Sequence, residues 1–120
     1  MTRKQVASQY LGTVRDLLEA VTKKASSGEA RRLAMEKFRA DVNPLINQYL
    51  RLSKGQSIAN EFSDERGALK LDERKELIYW ESVQGLTRAG KEAAVSDADL
   101  SAHYLKCALG LGELWLESID

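Results

Sequence analysis

The chain has 120 residues, 43% of them hydrophobic and 30% charged, with 18 Lys and Arg balanced by 18 Asp and Glu. This is the length of one domain with enough apolar material for a core, which excludes a wholly disordered chain or a linker. The single cysteine, Cys107, excludes an internal disulfide, so the fold rests on packing.

The zero net charge hides a polarity. Residues 1–60 carry 11 Lys and Arg against 5 Asp and Glu, and residues 61–120 carry 7 against 13, giving +6 and −6. Such asymmetry orients partners and does not set the fold.

Along the chain, Val6, Tyr10, Val14, Leu17 and Val21 recur at spacings of three and four. With Ala7, Leu11 and Leu18 they form a broad apolar stripe, which predicts a helix over roughly Arg3 to Ala25. Ser26, Ser27 and Gly28 break it, and Ser27 is placed to cap the next helix. Around that break, KKASSGEARR gathers Lys23, Lys24, Arg31 and Arg32 at one tip. The second helix is predicted from about Glu29 to Ser53, with Ala34, Phe38, Val42, Leu45, Tyr49 and Leu52 inward. Pro44 removes a backbone donor and crowds the preceding turn, so a bend or a break is expected there; the continuing apolar spacing favours a bend.

Between Lys54 and Leu71 the pattern weakens, with a short helix expected over Ser57 to Phe62. Asp72 is the expected N-cap of a third helix that carries Leu77, Trp80, Val83 and Leu86 to about Ala94. Ser96-Asp-Ala-Asp99 reads as a near capping box. The fourth helix then presents Leu100, Tyr104, Cys107, Leu111, Leu114 and Trp115. Gly110 and Gly112 each cost a helix about 1 kcal/mol relative to Ala, which predicts close approach to a neighbour. Four amphipathic helices without strand signals predict an all-α antiparallel four-helix bundle, a single domain over 1–120 with a long connection between helices 2 and 3.

Chemistry-bearing constellations are sparse. His103 and Cys107 stand four apart, but a structural zinc site normally needs four ligands and there is no other His or Cys. No metal site is expected, and the absence of two Glu-x-x-His motifs excludes a di-iron bundle. Gly110-Leu-Gly112 lacks the third glycine and the preceding strand of a dinucleotide fingerprint. Glu73/Glu76 and Asp97/Asp99 lie at helix starts, where capping accounts for them, and Cys107 reads as an inert core thiol. No catalytic residue and no cofactor is therefore expected. Nucleic acid is disfavoured too, because the acidic half repels phosphate and no aromatic interleaves the tip cations. Tyr10, Tyr49, Tyr79 and Tyr104 fall among apolar helical positions. The uncharged stretch Cys107 to Gly112 is far below the ~20 residues of a membrane span, and MTRKQVASQY contains no signal-peptide core.

Three stretches together resemble the Q-type extrinsic proteins of photosystem II. FRADVNPLI at 38–46 is similar to that family's Arg-x-Asp-Leu-Asn-x-(Ile/Val)-Ile segment, through Arg39, Asp41, Val42, Asn43, Leu45 and Ile46. YWESVQGLTRAGK at 79–91 resembles its third helix. HYLKCALGLGELWL at 103–116 resembles its fourth, through Tyr104, Leu111, Glu113 and Leu114. The resemblance covers roughly residues 30–118. It implies a four-helix bundle, peripheral to the membrane in the chloroplast thylakoid lumen, that supports oxygen evolution without performing its chemistry. Its implied partners are the lumenal subunits of photosystem II and other extrinsic proteins. On that reading Lys23, Lys24, Arg31 and Arg32 meet acidic lumenal loops; otherwise the tip is a solvated turn.

The long Pro-rich N-terminal region of plant members is not found in these residues, and Pro44 departs from the pattern, so an algal or diatom relative fits better. A Q-like subunit of the chloroplast NADH dehydrogenase-like complex is an alternative, as is a regulatory or assembly bundle unrelated to photosynthesis.

Overall fold

Thr2 starts the first helix. Its hydroxyl accepts from the Gln5 backbone N–H at 3.1 Å while the Gln5 side chain accepts from the Thr2 N–H at 2.8 Å, a reciprocal capping box. The structure, a computed structural model, describes residues 1–23, 27–53 and 71–119, and the side chains of all of these except 71–74. The short helix expected over Ser57 to Phe62, and Lys24 at the tip, lie outside the described residues.

Four long helices follow in order: α1 (Arg3–Thr22), α2 (Gly28–Leu52), α3 (Leu71–Ala93) and α4 (Ala98–Ser118). Ser27 caps α2 as expected, accepting from the Ala30 N–H at 3.1 Å. Pro44 does not break α2, which runs through it. The Ala40 carbonyl forgoes its helical donor there, and Ala40 is exposed to water that can replace it. Two expected caps move. α3 already begins at Leu71, so Asp72 falls within its first turn. α4 is capped by Asp97 instead of Ser96, its carboxylate accepting from the Leu100 N–H at 3.0 Å.

The helices form an all-α bundle with the predicted connectivity. Close backbone approaches join α3 to α4, α1 to α2 and α1 to α4; α2 and α3 meet mainly through large side chains. One aromatic from each helix fills a shared layer: Tyr10, Tyr49, Trp80 and Trp115. Ring centroids lie 4.6 Å apart for Tyr49 and Trp80, 5.1 Å for the two Trp and 5.5 Å for Tyr10 and Trp80. The Trp115 indole N–H donates to the Tyr49 hydroxyl at 3.2 Å, which satisfies a donor that burial would otherwise strand. Each ring pair adds about 0.5–1.5 kcal/mol beyond the area it buries.

The inner face of α4 differs from the expected one. Leu100 and Leu114 are over two-fifths exposed and Cys107 faces solvent. Ser101, Ala102, Leu105, Ala108 and Gly112 point inward instead, while Trp115 is inward as expected. Small residues let the α4 backbone come close: a Cβ on Gly112 would collide with the Leu11 side chain of α1, and one on Gly90 of α3 would lie 2.7 Å from Leu105 Cδ2. The Ser101 hydroxyl donates to the Gly90 carbonyl at 2.6 Å across the same contact. Gly110 has open space above it, so only one of the two α4 glycines serves close approach. Leu52, expected inward at the end of α2, is exposed as well.

At the opposite end from the α1–α2 turn, Glu76 is almost fully buried and pairs with Arg3 of α1, whose Nη2 donates to Oε1 at 2.9 Å. This ion pair ties the first turn of α1 to α3.

Candidate functional site

The tip cations divide into different environments. Lys23 is exposed at the C-cap of α1, where the helix dipole favours a cation. Arg31 closes the first turn of α2 and Arg32 follows it, near the end where the same dipole disfavours positive charge. Each has local compensation. Arg32 forms ion pairs with Glu29 and with Glu36, and its guanidinium holds the Glu29 carboxyl below the usual carboxylate range. Arg31 turns toward the bundle: its Nε donates to the Ala94 carbonyl at 2.7 Å and its Nη2 to the Val95 carbonyl at 3.2 Å. It thereby satisfies orphan carbonyls just past the C-terminus of α3.

Arg31, grouped by the sequence with the tip cations that meet a partner, is half-buried and latches α2 to the α3–α4 turn. Arg32 stays on the surface with its charge matched by two carboxylates. Lys23 forms no ion pair with any described residue.

An open cleft of about 530 Å³ lies beside these residues, between the C-terminus of α1 and the N-terminal halves of α2 and α4. Lys23 and Arg31 line one side; His103, Lys106 and Asp99 of α4 line the other. Two helix N-termini and two C-termini meet at this end of an antiparallel bundle, so their dipoles offset and the side chains set the local field. Among the described residues, two lysines, an arginine and an imidazole face one carboxylate, which makes a concave, solvated surface suited to acidic side chains.

Sequence reasoning missed His103 and Lys106 as members of this set. Asp99, Ala102, His103 and Lys106 follow i, i+3, i+4, i+7 spacing and so share a stripe of α4. That stripe was legible; that it faces Lys23 depends on which helices are neighbours. His103 and Cys107 are both exposed, and no group of three or more potential metal ligands occurs among the described residues.

Fold and cleft together define an all-helical scaffold that presents charge at one end. No family profile, curated protein or solved structure matches the chain. The likeness to the extrinsic proteins rests on the three helical stretches alone.

Proposed function

We propose that this chain is a non-catalytic extrinsic subunit that docks electrostatically on the lumenal side of photosystem II and stabilises the oxygen-evolving complex. The observation that carries the docking reading is the convergence of Lys23, Arg31, His103 and Lys106 on one cleft. The choice of partner comes from the resemblance of residues 38–46, 79–91 and 103–116 to the Q-type family, with which the bundle architecture agrees. No described helix is long and apolar enough to cross a membrane, which accords with attachment from outside the bilayer.

Exposed ion pairs contribute only about 0–1 kcal/mol each, so several must act together, through encounter rate as much as through affinity. The test is reconstitution. Added to salt-washed photosystem II membranes at low ionic strength, the protein rebinds and raises oxygen evolution, and rising salt releases it. Failure to rebind, or binding without any gain in oxygen evolution, overturns the reading in favour of a bundle that works elsewhere.

A further inference from the structure

A second concave surface lies away from the basic cleft, along the seam between α2 and α3. There the two backbones do not approach closely, and a groove of about 210 Å³ opens down to Tyr10 of α1. Its floor is apolar: Phe38, Val42 and Ile46 reach it from α2. Its rim is cationic, with Arg39 on α2 facing Arg88 and Lys91 on α3. Among the described residues no carboxylate lines the groove, and none of the three cations forms an ion pair. Arg3 and Arg32, by contrast, are matched, Arg3 by Glu76 and Arg32 by Glu29 and Glu36.

We propose that this groove is a docking site for an acidic amphipathic helix of a protein partner, with one apolar side chain seated on Phe38, Val42 and Ile46 and flanking carboxylates on Arg39, Arg88 and Lys91. Volume decides between a helix and a small ligand. Pockets that enclose a small molecule typically measure about 300–1,000 Å³, whereas this groove has room for a single large anchor side chain. Charge decides the polarity of the partner, since three cations at one rim repel a basic helix and attract an acidic one. The geometry fits the helix-in-groove mode, in which an apolar stripe supplies contact and flanking charges fix orientation. The Asn43 and Gln84 amides lie at the same rim and can accept or donate to the helix's polar side chains. The floor is firm: Tyr10 is held in the aromatic layer, and beside its phenol the Thr87 hydroxyl donates to the Val83 carbonyl at 2.7 Å.

This inference does not depend on the photosystem reading. The probe is a synthetic amphipathic helix of Leu and Glu repeats, with a Leu and Lys peptide of the same length as control. Both are titrated into the isotope-labelled full chain and followed by NMR. The acidic peptide shifts the resonances of Val42, Ile46, Gln84 and Thr87, and the basic peptide does not. Arg88→Glu with Lys91→Glu weakens acidic-peptide binding at least tenfold while leaving the melting temperature within a few degrees, because neither residue forms an ion pair with a described residue. Val42→Ala is expected to weaken binding too, and to destabilise the bundle. Shifts confined to Lys23, His103 and Lys106 assign acidic helices to the basic cleft and overturn the proposal. Equal binding of both peptides, or no shift at saturating acidic peptide, overturns it as well.

Discussion

Tyr49 shows how one side chain can tie packing to titration. Burial pushes its phenol up to about 12, with the Trp115 hydrogen bond acting in the opposite direction. The unfolded chain releases this proton near pH 10, and the folded chain holds it until about 12. The stability associated with the buried neutral phenol is therefore fully present below pH 10 and lost as pH rises toward 12. The loss is on the order of 3 kcal/mol. Tyr49→Phe should remove this share of the alkaline transition, leaving a remainder from Tyr10, whose phenol burial also raises. At neutral pH the same variant should be less stable by about 1–3 kcal/mol, because Trp115 Nε1 loses its acceptor. Urea unfolding from pH 7 to pH 12 measures both effects, and an unchanged pH slope would show that Tyr49 is not the titrating group. Trp80→Ala and Trp115→Ala each remove a buried ring of the same layer and should lower stability by about 3–5 kcal/mol in the same assay.

At the scale of the helix, glycine separates propensity from packing. Gly110→Ala places a methyl in open space and should stabilise by up to about 1 kcal/mol. Gly112→Ala and Gly90→Ala gain the same propensity, but their methyls meet Leu11 and Leu105, so both should melt below the parent. Thermal melts of the three variants decide it, and three equal shifts would show that α4 does not pack closely through these positions. The helices themselves were legible because their apolar spacing is strong: α1 through Val6, Tyr10, Val14, Leu17 and Val21, and α3 through Leu77, Trp80 and Val83. α4 was legible as a helix but not in rotation. Its leucines suggest one face, whereas close packing selects the face with Ser101, Ala108 and Gly112, a preference set by the neighbouring helix. The site was partly legible for a related reason. Cations near the N-terminus of α2 oppose its dipole, a signal that they serve another element, but the α3 carbonyls that Arg31 caps are named only by tertiary structure.

Over the whole molecule, the bundle is a rod about 52 Å long with different chemistry at its two ends. The α1–α2 end carries the open basic cleft, and the other end carries the buried Arg3–Glu76 pair. Docking through the cleft predicts that charge position matters more than charge number. Arg31 and Arg32 are poor probes, since reversing Arg31 would break its latch on Ala94 and Val95 and reversing Arg32 would repel Glu29 and Glu36. Lys23 and Lys106 line the cleft without ion pairs among the described residues, and exposed Lys4 and Lys75 mark the opposite end. The most direct measurement compares wild type, Lys23→Glu with Lys106→Glu, and Lys4→Glu with Lys75→Glu for rebinding to salt-washed photosystem II membranes across ionic strength. Both double variants have the same net charge. Docking through the cleft predicts that the first fails to rebind at low salt while the second rebinds and restores oxygen evolution as wild type does. Equal loss in both variants, or full rebinding by the first, would contradict docking through the cleft.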